Sequence, residues 1–82
     1  MIVEDLTRLE IIERLQQLKN FIDENSISVY EKKPNRFIKK IFDLWDNNNT
    51  VGVIIFANNS VKIEGESCLL KKRVEKIIGQ IS

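Results

Sequence analysis

Residues 50–64 constrain this chain most tightly. Val51, Val53, Ile54, Ile55 and Phe56 form a run rich in β-branched and aromatic side chains, and Val61 and Ile63 resume the alternation after Asn58-Asn59. Asparagine tolerates positive φ, so a two-residue turn there joins strands 50–57 and 60–64 into a hairpin. Gly65 ends it. A sheet with an apolar side must be covered by another layer, and the two ends of the chain supply candidates.

Thr7-Arg8-Leu9-Glu10 fits a capping box, with Leu6 and Ile11 where a hydrophobic staple would sit. Helix is expected over about 5–24, because Asp5 is a second possible cap, with Asn25 as the stop. At 100° per residue Ile11, Leu15, Leu18 and Ile22 make one narrow core-facing stripe. A helix extended backward would point Ile2, Leu6 and Leu9 to the other side and leave them for a protein interface. If Thr7 is the cap instead, Leu6 folds down as a staple and Ile2-Val3 becomes a strand or tail. At the other end Ser67 can cap a helix over about 67–81, with Leu70, Val74, Ile77, Ile78 and Ile81 as its buried stripe. The expected core includes Leu15, Leu18, Ile22, Ile54, Val74, Ile77 and Ile81.

Ile27, Val29 and Tyr30 favour a strand over 27–32, and Lys33-Pro34-Asn35-Arg36 reads as a turn. Residues 35–46 admit two readings. As helix, Phe37, Ile38, Ile41, Phe42, Leu44 and Trp45 share one side, and Pro34 suits the first turn; periodicity favours this. As strand, the aromatic and β-branched content fits, but neither face is cleanly apolar. The expected fold is α+β in two layers: a small antiparallel sheet covered by an N-terminal and a C-terminal helix, with residues 35–46 a further helix or strand.

The chain has 82 residues, room for a single domain over 1–82. Its 43% hydrophobic and 30% charged content suits a globule. The apolar run 51–57 is far below the roughly 20 residues that span a bilayer, and Glu4-Asp5 stand where a signal peptide would be basic. With one cysteine, Cys68, no internal disulfide can form, which points to a reducing cytoplasmic setting.

The chain contains no histidine, the commonest general base and metal ligand, and one cysteine makes no ordinary zinc site. Its three glycines, Gly52, Gly65 and Gly79, are too far apart for a phosphate loop. No catalytic group, metal or cofactor is expected. Cys68 lies near a helix start, where the dipole favours thiolate, but a half-buried structural thiol is the simpler reading.

Charge is uneven. Residues 1–31 hold three basic and seven acidic side chains, a balance of −4; residues 32–82 hold ten and five, a balance of +5. Such a split suits a partner-binding face, self-association, or plain solvated helices. The basic residues form two groups: Lys32, Lys33, Arg36, Lys39 and Lys40 around Pro34, and Lys71, Lys72, Arg73 and Lys76 in the last helix. If Pro34 opened a helix, the first group would crowd its positive end and suit an anion such as a nucleic-acid backbone. Asp43, Asp46, Glu64, Glu66 and Glu75 dilute that charge, and the pI is only about 7.8.

With residues 37–45 as a strand, the order helix–strands–helix resembles that of a double-stranded-RNA-binding domain. Lys71, Lys72, Arg73 and Lys76 then resemble that family's basic final helix, although Cys68-Leu69-Leu70 replace its glycine- and alanine-rich context. Phe37, Phe42 and Trp45 repeat at helical spacing and are expected in the core, not on a stacking platform. The leading expectation is a non-catalytic protein-binding module, a regulator, inhibitor or accessory subunit, acting on a protein partner or as a homodimer through Ile2, Leu6 and Leu9. Nucleic-acid binding by the two basic groups is the alternative.

Overall fold

The computed structural model describes residues 1–79. The elements run β1 (Ile2–Val3), α1 (Arg8–Glu24), β2 (Ser28–Lys32), β3 (Ile38–Trp45), β4 (Thr50–Phe56), β5 (Val61–Glu64) and α2 (Leu69–Gly79). The strands form one antiparallel sheet in the order β1-β5-β4-β3-β2. Both helices lie on one face of it, so the fold is a two-layer α+β sandwich. The expected core position Ile81 lies outside the described residues.

Helix α1 starts where its capping box dictates, at Arg8 and not near residue 5. Thr7 Oγ1 accepts from the Glu10 amide at 3.1 Å, and the Thr7 amide donates to Glu10 Oε1 at 3.0 Å. That fixes Thr7 in extended geometry and releases the preceding residues from the helix. Leu6 packs against the core beside Ile11, Ile55 and Ile78, the staple arrangement. Ile2 and Val3 then pair with Lys62 and Val61, the strand that goes with Thr7 as the cap.

The helix ends in a Schellman turn. Ser26 adopts φ of +54°, the Ile27 amide donates to the Ile22 carbonyl at 3.1 Å, and the Asn25 side chain donates to the Phe21 carbonyl at 2.9 Å. At the other end α2 is capped by Cys68 and not Ser67: the Lys71 amide donates to Cys68 Sγ at 3.4 Å. The thiol is half-buried against the core, a structural role.

Residues 38–45 are a strand, and the helical periodicity there has a physical origin. Ile38 pairs with Phe56 and Lys40 with Ile55, so β3 carries one extra residue, a β-bulge. A bulge puts residues three apart on the same side, and Ile38 and Ile41 both face away from the helices. Beyond it, ordinary alternation sends Phe42 and Leu44 into the core and Ile41, Asp43 and Trp45 to the other face. Pro34 opens no helix; it sits in the β2–β3 turn, where Asn35 Oδ1 accepts from the amides of Phe37 and Ile38 at 2.8 and 3.0 Å.

The hairpin is as expected but for its loop. The Asn59 amide donates to Phe56 O and the Phe56 amide to Ser60 O. This is a three-residue connection, Ala57-Asn58-Asn59, with Asn59 at φ of +67°. Gly65 follows β5 at φ of +134°, and a Cβ there would lie 2.9 Å from the Thr50 carbonyl oxygen, so only glycine fits.

The core lies between the layers. Phe42, Leu44, Val51, Val53, Ile55, Val61 and Ile63 from the sheet meet Ile11 and Leu18 of α1 and Leu70, Val74 and Ile78 of α2. Of the expected core residues, Leu18 and Val74 are fully buried, and Leu15, Ile22 and Ile77 pack partly buried at its rim. Ile54 does not belong to it: Val53 and Ile55 take the helix side, and the two-residue period of the strand forces Ile54 to the opposite face.

Candidate interaction surfaces

The side chains on the helix-free face are fixed by the strand register. Successive cross-strand rows carry Ser28, Trp45 and Thr50; then Tyr30, Asp43, Gly52 and Glu64; then Lys32, Ile41, Ile54, Lys62 and Ile2; then Ile38 and Phe56. The third row is an apolar centre, Ile41-Ile54, with a lysine on either side. Tyr30 is 58% exposed, Trp45 39% and Ile2 59%. Paired residues in an antiparallel sheet share a face, so Tyr30, Trp45 and Phe56 all stand on this one. The expectation that Phe37 and Trp45 are core residues therefore fails: of the three aromatics concerned, only Phe42 is buried.

The polar groups of this face are arranged around Gly52. Lys32 Nζ lies 3.1 Å from Asp43 Oδ2, and Lys62 Nζ lies 2.9 Å from Glu64 Oε1. The hydrogen bond from Lys62 holds the Glu64 carboxyl below its ordinary value, and Lys32 adds to that from across the face. A Cβ on Gly52 would lie 3.4 Å from Asp43 Oδ1 and 3.8 Å from Glu64 Cβ. The glycine thus leaves a shallow hollow, about one methyl group wide, between the Asp43 and Glu64 side chains. The side chains of these rows carry two cations and two anions, and the N-terminal ammonium adds positive charge near Glu64.

A second surface lies on the helix side. The helix layer stops short of β2, every residue of which is exposed. A groove of about 540 Å³ runs between α1 and β2, walled by Ile12, Leu15 and Ile22 and floored by Val29 and Phe42. Its rim is polar on both sides: Lys19 and Asp23 on the helix, Lys40 paired with Glu31 at 3.0 Å on the strands.

The three residues expected at a protein interface are not brought together. Ile2 stands at the edge of the helix-free face, Leu6 packs inward, and Leu9 is 63% exposed on α1. The two basic groups also stay apart. Helix α2 packs on β5 and α1, whereas the first group surrounds the β2–β3 turn, three strands across the sheet. Within that group, Lys32 pairs with Asp43 and Lys40 with Glu31, Lys39 donates to Asn59 Oδ1 at 2.7 Å, and Arg36 stacks on Phe37. Lys33 is exposed in the turn. In the second group Lys71 donates to the Gly65 carbonyl and Arg73 lies over the Phe21 ring, while Lys72 and Lys76 are exposed.

Among the described residues, no group of three or more acidic, cysteine or histidine side chains could hold a metal ion, and no helix is long and apolar enough to cross a membrane. The helix-free face escaped sequence reasoning, but it left a signal. Apolar residues occupy both parities of β4, Val51, Val53 and Ile55 on one side and Ile54 and Phe56 on the other, as in a strand covered on both faces. Comparison with protein-family models, with curated proteins and with solved structures found no match.

Proposed function

We propose that this chain is a non-catalytic, cytoplasmic protein-binding module, a regulator, inhibitor or accessory subunit, that meets its partner through the helix-free face of its sheet. The observation that carries this reading is the Ile38–Ile41–Ile54–Phe56 centre. A sheet normally buries one apolar face and presents a polar one to water. Here the second face also carries four large apolar side chains, running from the middle of β3 and β4 at Ile41-Ile54 to their end at Ile38-Phe56, with exposed Tyr30, Trp45 and Ile2 around them. Contiguous apolar surface rimmed by polar groups is the usual form of a protein interaction site, and aromatic side chains are enriched in its energetic centre. Leu9 and the groove beside β2 offer further contact area on the other layer.

Nucleic-acid binding is the competing reading, supported by the exposed Lys72 and Lys76. It is weaker because the lysines of the aromatic-bearing face are matched by Asp43 and Glu64, which would repel phosphates.

The test is a paired capture from the native host with wild type and Ile54→Lys as immobilised baits, scoring proteins and nucleic acid in the same eluates. Proteins held by wild type and lost with Ile54→Lys are expected. Identical protein recoveries from both baits would refute the reading. So would recovery of nucleic acid alone, released steeply by salt.

A further inference from the structure

Resting on the interaction surface just assigned, we propose that its occupant is a second copy of this chain, stacked face to face about a two-fold axis. Any two-fold interface must be self-complementary. Let the axis lie in the interface and cross the strands at the level of Val53. Each strand then runs antiparallel over its own counterpart, and residues equally far either side of that level meet. Ile54 enters the hollow left by the partner's Gly52. Glu64 meets the partner's Lys62, Tyr30 meets the partner's Lys32, Thr50 meets the partner's Phe56, Ile38 meets the partner's Trp45, and Ile41 meets the partner's Asp43, whose carboxylate stays paired with Lys32 of its own chain. Every one of these pairs is reciprocated by symmetry.

The other in-plane axis, along β4, fails on charge, because it sets Asp43 against the partner's Glu64. Stacked sheets incline by about 30°, an offset that lysine and glutamate side chains can span. The face suits the purpose in size as well. Strands of two, five, eight, seven and four residues, at ~3.3 Å per residue and ~4.8 Å between strands, project about 400 Å². Side chains standing off the sheet add to this, toward the ~600 Å² per partner at the lower end of specific interfaces. A foreign partner would not need the face to be matched to its own reverse; a second copy does.

Gly52→Val is the discriminating substitution. Valine favours strands, so the monomer should keep or raise its melting temperature, while the filled hollow excludes the partner's Ile54. Sedimentation of nuclease-treated protein between roughly 1 µM and 1 mM should show wild type passing from monomer to dimer, as expected for an interface of this size. Gly52→Val should raise the dissociation constant roughly tenfold or more. Lys62→Glu and Glu64→Lys should each weaken the dimer, and the double variant should restore it, because the pairing is reciprocal. Three results would overturn the proposal: a wild type that stays monomeric throughout, a dimer indifferent to Gly52→Val and Lys62→Glu, or association that disappears on nuclease treatment. A monomeric wild type would leave the wider protein-binding reading to the paired capture, which scores other proteins.

Discussion

Leu44 and Ile41 lie three residues apart on β3, and truncating each to alanine removes a similar amount of hydrocarbon. A helix over residues 37–46 would bury both on one side. The bulged strand buries Leu44 completely and leaves Ile41 half-covered on the helix-free face. Leu44→Ala deletes three carbons, worth roughly 2.4 kcal/mol at ~0.8 each. Leu44 is 0% exposed in the interlayer core, so little collapse can occur, and the residual cavity raises the cost to about 3–4 kcal/mol. Ile41→Ala exposes less newly vacated surface, at a cost of about 1 kcal/mol. For a domain this size each kcal/mol moves the melting temperature by roughly 4–8 °C, so the variants should differ by about 10–20 °C. Urea unfolding followed by far-ultraviolet circular dichroism, at low micromolar protein so that association does not contribute, reads the difference directly. Equal losses for the two variants would refute the strand over residues 41–45 and the assignment of its faces.

Ser26→Gly should stabilise the protein by about 0.5–1 kcal/mol, because a Cβ is strained at φ of +54°; a denaturation midpoint that falls would show the residue is held by something other than its backbone. Gly65→Ala should cost about 2 kcal/mol, since the new Cβ meets the Thr50 carbonyl oxygen in a backbone region closed to alanine, and an unchanged midpoint would contradict that packing. Acid should unfold the protein through carboxylates. Glu10 is held below its ordinary 4.5 by the Thr7 amide, Asp46 below 3.8 by the amides of Asn48 and Asn49, and Glu64 below 4.5 by Lys62. A depressed folded-state value stabilises the fold above the ordinary value and is lost as pH falls through the folded one. Melting temperature should therefore hold between pH 8 and 5, where no histidine titrates, and decline below about 4.5. Calorimetry showing a rise toward pH 3 would reverse the assigned sign.

What the sequence disclosed was local. Thr7 and Glu10 specify a helix start through two hydrogen bonds three residues apart, so the capping box was readable and correct. The hairpin over residues 50–64 and the α2 stripe of Leu70, Val74 and Ile78 were readable for the same reason. Long-range pairing left no local mark. Nothing in Ile2-Val3 announces a partner some 60 positions away, and the backward extension of α1 competed with the strand on equal terms until Thr7 settled it. The bulge at Lys39 was worse than silent, because it gave Ile38 and Ile41 a spacing that imitates a helix. The interaction face failed at the same place. Leu6 and Leu9 group with Ile2 only on a helix that does not extend to them all, and Ile54 fits the core only if its neighbours Val53 and Ile55 leave that side open, which they do not. A one-residue error of parity in a strand moves a side chain through the whole thickness of the sheet.

The pairing of β1 with β5 also bears on how the chain folds. Strands β2 to β5 form a meander whose contacts are close in sequence, and α2 docks beside the strand it follows. Such local contacts close short loops and form quickly. The bonds between Met1 and Ile63, at 2.9 and 3.2 Å, close a loop of some 60 residues and gain only a two-residue strand in return. Loop-closure entropy makes that a poor bargain until the meander stands. The first strand in sequence is thus the last to join the sheet and the first to leave it, and amide exchange at Val3 and Ile63 should outpace exchange at the centre of β4.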